Sequence, residues 1–353
     1  MQCRSLLTGF WLAIGWVILP VCRPWKVKCL QVDKEPQGRA SSRSTSTYSF
    51  GVSKREGHDS SAFYSRFQPP VLSDDTQINE SPIKDALFVQ DSRDLSFLPD
   101  NCVALVVTSP PYFVGKEYEE SIKGGHIPGN YLEYLEMLKD VFAECYRVLE
   151  PGGRIAVNVA NLGRKPYRSL SADLVTILQD ELGFLMRGEI LWIKGKGANG
   201  SCAWGSYQSA SNPVLRDVTE RIIVGSKGSF SRVHPKKIRQ KLGLPYLDSI
   251  SGEEFRSLTL DTWYFPPESA KRVGHPAPFP IELPRRLIEL NTYVGDVVLD
   301  PFMGAGQTAL ACLMTNRHYV GVEIDPDYVD IAEGRIKLAK EVAYLAATSE
   351  VAD

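Results

Sequence analysis

From Ala86 onward, short apolar runs alternate with longer stretches whose apolar residues recur every three or four positions. Ala86–Val89, Val103–Val107 and Ile155–Val159 are of the short kind, and such runs form strands buried on both faces. Glu189–Ile193, Thr219–Val224, Asp296–Leu299 and His318–Val322 bring the expected strands to seven. Helical spacing is clearest over Asn130–Leu149, where Tyr131, Tyr134, Leu138, Phe142 and Cys145 share a face and Pro151-Gly152-Gly153 supplies the stop. Leu170–Leu182, closed by Gly183, is the next helix. Ile281–Leu290, the stretch from Gly306 to Thr315, and Asp327–Lys340 are the others. Strands and helices in alternation predict an α/β fold on a largely parallel sheet.

Composition narrows the class and leaves the function open. A chain of 353 residues, 43% apolar and 23% charged, has the make-up of a soluble protein with a large core. A net charge of −2 gives no general affinity for nucleic acid, so any phosphate contact has to be local. Lys227–Lys241 is such a locality, with six Lys or Arg residues and no acid. Solvated surface explains many basic runs; on the functional reading, Arg232, Lys236, Lys237, Arg239 and Lys241 contact DNA phosphates. The seven cysteines form no C-x-x-C pair and stand near no histidine cluster, so reduced thiols are expected, with no disulfide framework and no metal site.

The first 47 residues read differently. Leu6–Val21 is apolar apart from Thr8 and is followed by a basic stretch and a polar segment without hydrophobic period. It is either a membrane anchor or a leader outside the working protein. The cytosolic character of the remaining chain favours the second, and a cytoplasmic location is expected. Residues 48–84 read as a polar arm and linker.

Near the carboxyl end a strand runs into Asp300-Pro301-Phe302-Met303-Gly304-Ala305-Gly306, a helix comes next, and the strand after it ends at Glu323. Glycines let a ligand approach the backbone, and the helix start offers free N–H groups. Glu323 lies 17 residues after Gly306, near the spacing of an acid that binds two ribose hydroxyls. Ala309 replaces the third glycine of a dinucleotide fingerprint, and a nicotinamide cofactor tolerates that change. Asp300 at the head of the loop suits an amino group better than a phosphate, and Asp91, at the end of its own strand, suits an adenine amino group. Ribose, ammonium and adenine without pyrophosphate describe S-adenosylmethionine.

The run Val103–Val107 leads into Thr108-Ser109-Pro110-Pro111-Tyr112. Two prolines end the strand's hydrogen bonding and make a rigid loop. Ser109 and the Pro110 carbonyl are acceptors for an exocyclic amino group, and Tyr112 is a flat face for a base. Taken alone, the motif is equally a turn after a strand.

Taken together, Thr108–Tyr112, Arg147–Gly153, His275–Pro280, Asp300–Gly306 and Val320–Asp325 resemble the amino-methyltransferases of DNA, over residues 85 to 340. The catalytic loop precedes the cofactor loop, similar to the permuted, β-type order of that family. The resemblance implies a circularly permuted, Rossmann-like seven-stranded methyltransferase fold with a small inserted target-recognition region. It divides the chain into a catalytic half (85–226), a basic recognition region (227–262), a cofactor half (263–342) and a tail (343–353). It implies Ser109, Pro110, Pro111 and Tyr112 as catalytic residues. Asp91, Asp300, Phe302, Gly304, Gly306, Thr308 and Glu323, with His275 and Phe279, would hold S-adenosylmethionine. Ser109 at the first motif position suggests cytosine N4 as acceptor, in double-stranded DNA with the base flipped out, and a restriction endonuclease as a companion. Adenine N6 is the near alternative; an RNA or protein amide methyltransferase and a non-catalytic DNA-binding module are more distant ones.

Overall fold

Strand β1 (Ala86–Val89) forms one edge of the sheet, and β8 (His318–Glu323) runs beside it in parallel, with Val89 opposite Glu323. The first and last strands of the domain are therefore neighbours, as a permuted order requires. The computed structural model describes residues 71–113, 128–161, 167–195, 205–215, 218–268 and 279–350, all in one compact unit. The leader, residues 48–70 and the predicted cofactor residue His275 lie outside the described residues.

Continuing from β8, the parallel strands are β7 (Val297–Asp300), β2 (Val103–Thr108) and β3 (Leu149–Val159). An antiparallel pair comes next, β5 (Thr219–Ser226) and β4 (Leu185–Ile193), and β6 (Thr262–Tyr264) closes the far edge. Seven of the eight are the expected strands. Three residues are too few to read as a strand from sequence, and β6 holds its place by burying Trp263.

Side chains of alternate strand residues leave opposite faces, and β7 divides its burial accordingly. Val297 and Leu299 join one core and Val298 the other. The first core is covered by α1 (Tyr131–Val148) and α2 (Leu170–Thr176). The second is covered by α5 (Glu282–Asn291), α6 (Gln307–Thr315) and part of α7 (Pro326–Glu350). In α1, Asn130 caps the start by accepting from Leu132 N and Glu133 N, both at 3.0 Å, and Tyr134, Leu138, Phe142 and Cys145 form the buried stripe.

Several boundaries differ from expectation. Pro151-Gly152-Gly153 lies inside β3, which begins at Leu149 as soon as α1 ends. The predicted helix 170–182 is α2 followed by a wider turn, Ile177–Glu181. The predicted recognition region, 227–262, contains two short helices, α3 (Lys236–Lys241) and α4 (Gly252–Leu258), and α7 continues to Glu350 through the expected tail. Among the described residues no helix is long and apolar enough to cross a membrane.

Candidate active site

The chain leaves β2 towards β3 on one side and β7 towards β8 on the other, so the strand order reverses between β7 and β2. Ligands of open α/β sheets bind beyond the carboxyl ends of the strands at such a reversal. Here the two ends are tied together. Thr108 Oγ1 at the end of β2 donates to Asp300 Oδ1 at 2.7 Å, and Thr308 Oγ1 from α6 donates to Asp300 Oδ2 at 2.6 Å. Phe302 N adds a third bond at 3.1 Å. Asp300 is 1% exposed, and burial pushes its carboxyl up to about 6 despite those donors.

Glu323 ends β8 one strand away. Its carboxylate accepts from Gly304 N at 2.9 Å, Ile324 N at 2.9 Å and Asp325 N at 3.1 Å, and burial raises its proton affinity. The acid therefore shapes the glycine loop as well as facing it. Gly306, at φ +78, starts α6 from a left-handed conformation, and a Cβ there would stand 2.9 Å from Ala332 Cβ of α7. Gln307 beside it donates to the Phe279 carbonyl at 2.9 Å, which fixes the predicted Phe279 next to the loop. Phe302 packs against the first core.

Asp91, past the end of β1, has a standing partner. Arg93 contacts it through its backbone N at 3.0 Å and its guanidinium Nη2 at 2.6 Å, and this bonding lowers the Asp91 pKa. Ser92 Oγ donates to the Pro301 carbonyl at 2.5 Å, joining the loops after β1 and β7. Three acids thus stand at three neighbouring strand ends.

Beyond β2, the Ser-Pro-Pro-Tyr loop is held from both sides. Tyr134 of α1 donates to the Pro111 carbonyl at 2.5 Å and stacks on Phe113 at 5.2 Å. Tyr112 is 8% exposed, and its hydroxyl lies 2.9 Å from Ser109 Oγ and 3.3 Å from Glu220 Oε2. Asn158 Nδ2 donates to the same Glu220 oxygen at 2.5 Å, and Lys194 pairs with the other. The Asn158 side-chain carbonyl is buried without a hydrogen-bond partner. Glu220, Asn158, Lys194 and Tyr134 were absent from the sequence-based site. Glu220 reaches Tyr112 across 108 residues of chain, from an antiparallel strand that begins where its neighbours end, and no spacing rule signals that. Cys102 and Cys145 are buried thiols, and burial pushes Cys102 up to about 11 and Cys145 higher, so neither is a ready nucleophile.

The basic segment requires a correction. Gly152 N donates to Lys227 O and Val233 N to Pro151 O, at the start of β3, while Val294 N, before β7, donates to Leu247 O. Residues 227–247 therefore lie at the amino ends of the strands, roughly 17 Å of strand from the reactive loop. Arg232 and Arg239 are not phosphate contacts. Arg232 is bound to Glu150 and, at 2.8 Å, to Asp296; Arg239 is 1% exposed and bonded to Glu150 at 3.3 Å and the Pro245 carbonyl at 2.6 Å. Lys236 pairs with Asp248, while Lys237 and Lys241 are exposed.

A glycine loop beside buried Asp300 and half-buried Glu323, next to a loop of hydroxyl and carbonyl acceptors, suits an α/β enzyme that brings a cationic nucleoside to a planar amino group. The DNA methylase family model, of N6 and N4 type, matches residues 103–334, and the chain belongs to this family of DNA amino-methyltransferases, in its β-type order. The type II methyltransferase M.MjaI of Methanocaldococcus jannaschii is 30% identical over 285 residues, which span 71% of this chain and 90% of that protein. TTHA0409 of Thermus thermophilus, solved in complex with S-adenosyl-L-methionine, shares 30% identity at a TM-score of 0.55, over 72% of this chain and 93% of that one. PvuII DNA methyltransferase (cytosine-N4-specific) shares the fold at a TM-score of 0.54 and 20% identity, covering 73% and 89% of the two chains.

Proposed function

We propose that this chain methylates N4 of a cytosine flipped out of double-stranded DNA, with Ser109, Pro110, Pro111 and Tyr112 as the reactive loop. S-adenosylmethionine, the cofactor, supplies when bound an electrophilic methyl group on a sulfonium. The fit is electrostatic as well as geometric. Asp300 and Glu323 are both raised in proton affinity by burial, and a cationic ligand beside them offsets that cost. Glu323 would take the ribose hydroxyls on the lone pairs left over by its three N–H donors. Asp300 would supply negative potential to the ammonium. Asp91, Phe302, Gly304, Gly306, Thr308, His275 and Phe279 complete the proposed cofactor site.

The observation that carries the acceptor assignment is Ser109, half-buried at the end of β2 and bonded to Tyr112. Its oxygen and the Pro110 carbonyl would hold the amino hydrogens and draw the nitrogen lone pair out of the ring, and positioning then does most of the work. Tyr112 would present its ring to the flipped base while its hydroxyl stays in the network. DNA would approach the carboxyl-end pole, where Ser109 opens. The type II name of M.MjaI supports a cognate restriction endonuclease as companion.

Nucleosides from DNA treated with the enzyme and cofactor, separated by mass spectrometry, test the reading. N4-methylcytosine is expected. N6-methyladenine would move the acceptor to adenine with the same loop, and 5-methylcytosine would overturn the mechanism.

A further inference from the structure

The hydroxyls of the reactive loop lie beside a carboxylate, and Asn158 Nδ2 donates to the Tyr112 hydroxyl at 3.4 Å. Tyr112 carries one hydroxyl hydrogen and donates it to Glu220 Oε2 at 3.3 Å. In the pair with Ser109, 2.9 Å away, either hydroxyl can donate; with the Tyr112 hydrogen on Glu220, Ser109 is the donor. Ser109 thereby spends its hydrogen inward and keeps both lone pairs for whatever sits before the loop. Everything else that holds Glu220 is a donor: Asn158 Nδ2 at 2.5 Å on one oxygen and the Lys194 ammonium on the other. The acid is buried, 7% exposed.

We propose that Glu220 sets the proton direction of the Ser109–Tyr112 pair, so that Ser109 meets the target base as an acceptor, and that Glu220 takes up the proton which amino methylation releases. The proposal rests on the amino-methyltransferase reading and adds to it the fate of that proton. As the exocyclic nitrogen gains its methyl group, its N–H bond breaks and the hydrogen bonds to Ser109 Oγ. The original Ser109 hydrogen passes to Tyr112, and the Tyr112 hydrogen passes to Glu220 Oε2. Each hydroxyl regains a hydrogen, the base loses one proton, and Glu220 ends as the neutral acid.

An uncharged Glu220 would free the direction of the pair. Ser109 could then donate outward, towards a carbonyl, as readily as accept from an amino group. Binding tests this without turnover. The probe is a duplex carrying the sequence in which the wild-type enzyme places its methyl group, with either cytosine or uracil at the target position, and cofactor-free protein. Glu220→Gln should narrow the cytosine-to-uracil affinity ratio by about tenfold. The mismatch made by uracil affects wild type and variant alike and cancels in the comparison. Tyr112→Phe keeps the ring, removes the hydroxyl and guards against a folding defect in Glu220→Gln. In single turnover with cofactor, each variant should lose roughly a hundredfold in rate, and the double variant no more than the worse single one, because both break one chain. An affinity ratio within twofold of wild type in either variant, or rate losses that multiply in the double variant, overturns the proposal. A wild-type enzyme that methylates no DNA amino group would instead overturn the functional reading beneath it.

Discussion

The two ends of the sheet each bury a charged network, and the networks differ in what they leave unspent. At the amino ends, two arginines and two acids close on one another: Arg232 with Glu150 and Asp296, Arg239 with the same pair and with two backbone carbonyls. At the carboxyl ends, Asp300, Glu323 and Glu220 are also held by donors, but the chain of bonds stops at half-buried Ser109 and at an Asn158 carbonyl without a partner. Burying charge is common to structural and reactive sites. Acceptor capacity left unused, at Ser109 and at the Asn158 carbonyl, separates them.

The largest effect that would break this contrast lies in the closed network. Arg232→Met should cost about 3–5 kcal/mol of unfolding free energy, because it leaves Glu150 and Asp296 buried with less compensation. Denaturant unfolding measures it, and a loss under 1 kcal/mol would mean that the network is looser than its geometry.

The open end should show itself through pH. The Asp300 carboxyl, ordinarily at 3.8 and raised by burial to about 6, binds its proton more tightly in the folded protein. Its contribution to stability is therefore full below 3.8 and is lost as pH rises through about 6, a change on the order of 3 kcal/mol. Measured against Asp300→Asn, wild type should lose that amount of unfolding free energy between about pH 3.5 and 7; parallel curves would mean that Asp300 titrates normally. Next, Glu323→Ala should weaken S-adenosylmethionine binding by roughly 2–3 kcal/mol, the loss of a charge-assisted contact. Unchanged calorimetric affinity in a folded variant would remove Glu323 from the cofactor site.

The smallest expected effect concerns the exposed lysines. Replacing Lys236, Lys237 and Lys241 with alanine should change the slope of log K for DNA against log salt by less than the ~0.9 of one phosphate contact. A change near three contacts would bring DNA to the amino-end pole after all.

These contrasts also mark what was legible in the sequence. Strand ends followed by a glycine loop or a double proline announce themselves locally, so the positions of Ser109, Asp300, Gly306 and Glu323 at strand and helix ends are legible in the sequence. The basic run was read by charge alone, and charge does not reveal that Arg232 and Arg239 point inward to an acid 82 and 89 residues earlier. Glu220 is not legible for the same reason: its contact with Tyr112 depends on which strand lies beside β3, a property of topology.

Single-turnover methyl transfer by Arg232→Met and Ser109→Ala, at a temperature where melting curves show both folded, tests most directly the division between a stabilising pole and a reactive one. Arg232→Met should transfer at close to the wild-type rate despite its lost stability. Ser109→Ala should keep stability to within about 0.5 kcal/mol and lose roughly a hundredfold or more in rate. A folded Arg232→Met as slow as Ser109→Ala, or a Ser109→Ala as fast as wild type, would contradict the account.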